Sequence, residues 1–240
     1  LDKTIKEADT YVQIKENKLH ELKKEARKTP PFSVERYNLN NDIYLEYKAY
    51  SSDSALHYLN ENMLLARQLN DKERELKIQL ELSYLLSSIG MYMEAADILN
   101  SIDRQTLPSS LLGHYYTCYE HVYFEAGAAQ PRYKMFASRY VKLSHAYRDS
   151  MQITLDPSSA TYLWLRETQL REAGKYDEAL EFSDRRLAES SFGTPQYALV
   201  AYQRFRLFES MGKKDEHLYY LVLSAISDVR SAIKEQSSLM

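Results

Sequence analysis

The side chains best placed for chemistry are His114, Cys118, His121 and Glu125, three or four residues apart and so on one face of a helix. Imidazole, thiol and carboxylate are zinc ligands, yet one straight helix can offer a tetrahedral ion only two of them, four apart. The rest would have to come from a neighbouring helix, and no second His/Cys cluster occurs in the chain. Structural or groove-lining roles are preferred. A metal-binding protein or enzyme at His114, Cys118 and His121 is the second alternative. As a nucleophile Cys118 is poorly placed, because it sits between Tyr116 and Tyr119, where a buried thiol stays protonated and inert. No G-x-S-x-G elbow, phosphate loop or dinucleotide fingerprint is present. Asp177-Glu178 and Asp215-Glu216 follow glycines that end helices, where carboxylates complement the positive end of the next helix. Lys23, Lys24, Arg27 and Lys28 gather at a helix C-terminus, interleaved with Glu21 and Glu25, as a solvated helix end does. No catalytic residue, metal or cofactor is expected.

The elements that must position these residues are helices. Six glycines and six prolines in 240 residues are few, and they fall between periodic segments. A charged fraction of 27% with a net charge of −3 gives no bulk drive toward nucleic acid or an anionic membrane. The 21 tyrosines suit either a helix–helix seam or a partly wet binding face, and abundance alone does not choose. One cysteine excludes an intramolecular disulfide. No apolar run approaches the roughly 18–20 residues that span a bilayer. The opening Leu1-Asp2-Lys3-Thr4 lacks both a signal-peptide core and an initiator methionine.

Residues 1–29 form the first segment, a charged helix over 2–28 ended by Thr29-Pro30-Pro31. Its apolar residues Leu1, Ile5, Ala8, Val12, Leu19, Leu22 and Ala26 keep a heptad frame with Lys15 at the skipped position. Such a stripe needs a partner: either it caps the first repeat, or residues 2–28 form a homodimer. Residues 30–240 form the repeat domain. Its interhelix corners fall at Tyr50, Gly90, Gly127, Gly174 and Gly212, each interval longer than the roughly 34 residues of a tetratricopeptide unit. Asp156 with Pro157, Pro108-Ser109-Ser110 and Thr194-Pro195 punctuate helix starts, and Ala128-Ala129-Gln130-Pro131 reads as an insertion in the third corner.

At two corners a glycine is followed two residues later by tyrosine and five later by alanine: Gly90, Tyr92, Ala95 and Gly174, Tyr176, Ala179. With Leu82, Leu86, Ile98 and Pro108 in one unit, and Trp164, Leu165, Leu170, Leu180 and Leu187 in the other, these resemble tetratricopeptide (TPR) repeats. Three further units are looser. Tyr50 stands where glycine is usual, His217 replaces the alanine after Gly212, and the third unit keeps Gly127 and a stripe of Tyr116, Tyr119 and Tyr123. The resemblance implies an all-α, right-handed alpha-alpha superhelix of about five hairpins.

A narrower resemblance lies at the ends. Leu1-Asp2, Ile5, Tyr11, Lys15, Leu19 and Leu22-Lys23, with the closing Ser231-Ala232-Ile233-Lys234-Glu235, resemble the sensor region of Bacteroidetes membrane-tethered transcriptional regulators. That resemblance implies a periplasmic sensor for a signal-transduction protein, with a cytoplasmic TPR adaptor as the alternative. It also implies an array cut short at its C-terminal end. The stripe Leu218, Val222, Ala225, Val229 and Ile233 has no following helix beyond Gln236 to cover it, unless the last helix is a terminal cap. The first helix of each hairpin is expected to line a concave, ligand-binding face. By helical spacing this face carries Thr117, His121 and Phe124, then Trp164, Thr168 and Arg171, then Tyr202, Arg206 and Glu209. An aromatic beside an arginine suits a peptide, a protein segment or a small ligand. Contact with nucleic acid and insertion into a membrane are not expected of this stretch.

Overall fold

A computed structural model describes residues 1–129 and 132–233, and among them every regular element is helical. Two N-terminal helices, α1 (Asp2–Lys6) and α2 (Ala8–Lys28), precede five hairpins. These pair α3 (Val34–Tyr47) with α4 (Ser52–Gln68), and α5 (Lys72–Ser88) with α6 (Tyr92–Ser101). Next come α7 (Ser109–Ala128) with α8 (Lys134–Thr154), α9 (Ala160–Glu172) with α10 (Tyr176–Ala188), and α11 (Pro195–Ser210) with α12 (Lys214–Arg230). The chain forms two compact units. One holds Leu19–Leu155, where α4 packs on α5 and α5 on α7. The other holds residues 1–18 and the described chain from Asp156 onward, where α10 packs on α11 and α1 on α12.

Three corners repeat one construction. Gly90, Gly174 and Gly212 have φ of +87°, +74° and +71°, a left-handed turn that glycine enters without a Cβ clash. The next N–H then reaches back to a carbonyl of the last turn: Met91 to Leu86 and Lys175 to Leu170 at 2.9 Å, Lys213 to Phe208 at 3.0 Å. These bonds satisfy helix-end carbonyls that would otherwise lack a donor. Asn70, at φ +54°, turns the chain between α4 and α5 in the same way. Five residues past each of two glycines, Ala95 and Ala179 are wholly buried, and Ala55 matches them in the first hairpin. Around Ala179 the contact is made by Leu170 and Leu207, with Tyr176, Leu180 and Phe182 at the margin.

Four features differ from the sequence reading. The N-terminal segment is two helices, parted at Glu7. Its stripe also divides: Leu19 and Ala26 are buried, whereas Leu1 and Ile5 are exposed. Gly127 is not a corner. It lies inside α7, and a Cβ there would stand 3.3 Å from that of Tyr140, so this glycine lets α8 approach. Asp156 does not cap α9, because its carboxylate is occupied by Ser158 N–H at 2.8 Å, and Ser159 is the cap. The stripe on α12 is covered in part: α1 packs on that helix and Arg230 lies over the rings of Tyr11 and Phe192, while Leu218 and Val222 remain exposed. Thr194 and Pro195 do occupy the cap and first positions of α11. Gln130, Pro131 and residues 234–240 lie outside the described residues.

Candidate functional site

The first helices of three successive hairpins, α3, α5 and α7, share a polar wall in the unit Leu19–Leu155. At its centre is the carboxylate of Glu81, which accepts hydrogen bonds from Tyr44 Oη at 2.6 Å and Lys48 Nζ at 3.2 Å. His114 Nε2 stands 3.6 Å away. Burial pushes the Glu81 carboxyl up, but Lys48, His114 and the Tyr44 bond together outweigh it and hold it below its ordinary range. Burial, with Lys48 and Lys77 adding to it, lowers the His114 pKa, and the Glu81 carboxylate beside it raises it in part. Lys48 also lies over the Tyr84 ring, 4.6 Å from its centre.

Two turns along α7 from His114, His121 stacks on Tyr84 with ring centres 4.0 Å apart. Its Nε2 is 2.9 Å from Ser88 Oγ. The Ser88 hydroxyl donates to the Tyr84 carbonyl, so His121 Nε2 must carry the proton and donate to Ser88. Burial, with Lys48 adding to it, takes the His121 pKa down to about 3. Glu125, 3.9 Å from His121 Nδ1, is raised by burial and by Glu120.

The helical face His114, Cys118, His121, Glu125 is therefore real, but its members do not converge. His114 turns to Glu81 and His121 to Ser88, while the buried Cys118 Sγ points at the Leu80 carbonyl, 3.4 Å away. Among the described residues no group of three or more His, Cys, Asp or Glu side chains is arranged to hold a metal ion. Burial raises the Cys118 thiol well above its ordinary value, which keeps it protonated and a poor nucleophile or ligand.

The residues expected to line a binding face divide between the units. On α7, Thr117 bonds back to the Gly113 carbonyl at 2.8 Å, His121 belongs to the wall, and Phe124 is 41% exposed. In the other unit, Trp164 and Arg171 on α9 and Tyr202 on α11 are half-buried, and Thr168 is buried. Arg206 is half-exposed and paired with Glu209 at 3.3 Å. Lys48, Glu81, Tyr84 and Ser88 were not foreseen from the sequence. The signal was the register: Tyr44 and Glu81, which bond across the stack, are 37 residues apart.

Two buried ion pairs hold hairpins shut. Arg148 of α8 meets Glu120 of α7 at 2.8 Å, with Ser144 on the same oxygen at 2.9 Å. Arg186 of α10 meets Glu167 of α9 at 2.5 Å and also donates to Gln203 of α11. The tyrosines fill the third hairpin's seam: Tyr147 lies parallel to Tyr119 with ring centres 4.7 Å apart, and Tyr123 stacks on Tyr147 and Tyr140. A hollow of about 450 Å³ bordered by Glu21, Lys24, Glu25, Lys28 and Thr29 lies on α2, not on the wall. No described helix is long and apolar enough to cross a membrane.

Residues 5–240 match the family model of the SusR N-terminal TPR domain. A comparison with curated proteins gives no match.

Proposed function

The chain belongs to the SusR N-terminal TPR domain family, and on that premise we propose that it is a binding scaffold serving as the extracytoplasmic sensor of a membrane-tethered regulator. It acts by surface shape rather than by making or breaking bonds. The observation that carries this reading is the wall itself. Three hairpins bring Lys48, Glu81, Tyr84, His114 and His121 together with their polar groups already paired, while the lone thiol is buried and protonated. Preformed donors, acceptors and ring faces suit capture of a peptide, a protein segment or a small ligand at low ordering cost. Phe124 adds an exposed ring beside the wall. In the other unit, Trp164, Arg171, Tyr202 and Arg206 offer a second set of aromatic and guanidinium groups on first helices.

The test is a thermal-shift screen of peptides and small ligands against the wild type, Lys48→Ala and Arg171→Ala/Arg206→Ala. A ligand that raises the wild-type melting point and loses that effect in one variant supports the scaffold and locates the site. Ligands that act equally on all three would remove both assignments. Protease accessibility of the tagged chain in intact and outer-membrane-permeabilised cells tests the compartment. Cleavage only after rupture of the inner membrane would refute the periplasmic placement.

A further inference from the structure

The outer face of α8 carries a charge pattern that none of the packing uses. From Arg132 to Arg148 the sequence contains no acidic residue. Arg132, Lys134, Arg139 and Lys142 are all exposed, and among the described residues none of them forms an ion pair. Interleaved with them are apolar side chains that stand out into solvent: Tyr133 at 64%, Met135 at 75%, Phe136 at 48% and Val141 at 46% exposure. At a helical turn of 100°, Met135, Arg139 and Lys142 fall near one line, with Lys134 on one flank and Phe136 on the other, while Val141 lies toward α7. The opposite face is the one that holds α8 to α7, through Tyr140, Ser144, Tyr147 and Arg148.

We propose that this face of α8 is a peripheral docking surface for an anionic lipid bilayer. Its four cations meet the headgroup phosphates while Tyr133, Met135 and Phe136 enter the interfacial layer. Charge complementarity selects the partner, because four uncompensated cations on a chain of net charge −3 seek a dense anionic surface. The apolar groups decide between a bilayer and an acidic protein. They project from the exposed face of a helix among cations, the arrangement of interfacial helices. The proposal is independent of the wall on α3, α5 and α7.

The experiment is co-sedimentation of the 240-residue chain with vesicles of phosphatidylglycerol and phosphatidylcholine, and with vesicles of phosphatidylcholine alone. The wild type is expected to sediment only with the anionic vesicles and to be released by sodium chloride. Arg139→Gln/Lys142→Gln is expected to weaken binding roughly 30-fold. Met135→Ser/Phe136→Ser is expected to weaken it while preserving the salt dependence. All four positions are exposed, so thermal unfolding should match the wild type and exclude misfolding as the cause. No sedimentation with anionic vesicles, equal sedimentation with both kinds, or indifference to the glutamine pair would overturn the proposal. Capture of polyglutamate or duplex DNA by the same cations without vesicle binding would also overturn it.

Discussion

His121 gives the sharpest physical test, because its environment fixes its charge. The ring lies on Tyr84, donates to Ser88, and has a pKa of about 3 in the fold. In an unfolded chain the same side chain titrates near pH 6.5. The folded pKa is depressed, so between those values the unfolded chain binds a proton that the folded chain refuses. Stability from neutral His121 is therefore complete above about pH 6.5 and falls as pH drops toward 3, by about 1.4 kcal/mol per unit. From pH 7 to pH 5 the loss comes to about 2 kcal/mol.

His121→Phe keeps a ring on Tyr84 and abolishes this titration. It also removes the bond to Ser88, at a pH-independent cost of about 1 kcal/mol. The variant should thus be the less stable protein at pH 7 and the more stable one by pH 5. Urea denaturation at half-unit pH steps measures both curves. Asp228, which burial raises to about pH 6, acts in the opposite direction, but it is present in both proteins and cancels in the difference. Parallel curves for the two proteins from pH 7 to pH 5 would refute the placement of His121 as a neutral buried donor.

Other perturbations test the repeat construction and its buried charges. Ala179→Leu forces a larger side chain against Leu170 and Leu207, and should cost about 1–3 kcal/mol in chemical denaturation. Gly174→Ala meets no atom within 4 Å, so its expected cost of about 1–2 kcal/mol is backbone strain at φ +74° alone; replacement by D-alanine through semisynthesis should be neutral or stabilising. Arg186→Met removes the ion-pair partner of buried Glu167, a loss of about 3–5 kcal/mol, and adding Glu167→Gln should recover most of it. Asp228→Asn should raise the melting temperature at pH 8, where the wild-type carboxylate is held charged, and the gain should vanish below pH 4.

The corners were legible because few residues can do their work. A chain leaving a helix at positive φ favours glycine, and a position with no exposed surface between crossing helices admits little more than alanine, so Gly90, Ala95, Gly174 and Ala179 mark themselves. Gly127 misled for a related reason: glycine also serves where two helices touch, and spacing alone does not separate the two uses. Asp156 misled because a carboxylate before Pro157 caps either a helix or a turn, and Ser158 decided for the turn. The buried pairs Glu120–Arg148 and Glu167–Arg186 could not be read at all. A charge on a helix surface looks solvated until the facing helix is known. The wall had the same obstacle, since Lys48, Glu81 and His114 meet only when the stacking register sets α3, α5 and α7 side by side.

That register explains why the third hairpin departs from the glycine–aromatic–alanine code and still closes. The second and fourth hairpins bring their helices together over Ala95 and Ala179, and their outer helices are short, Tyr92–Ser101 and Tyr176–Ala188. The third has no such alanine. It joins longer helices, Ser109–Ala128 and Lys134–Thr154, through stacked tyrosines, the Glu120–Arg148 pair and the close approach at Gly127. All of those contacts come from one side of α8. A helix held so completely along one stripe needs nothing from its other face for stability. There Arg139 and Lys142 can stand unpaired beside Met135 at little cost to the fold, since exposed charges contribute little to folding either way. The tyrosines counted in the sequence thus take over the packing of α8 and leave its basic outer face uninvolved in the hairpin's closure.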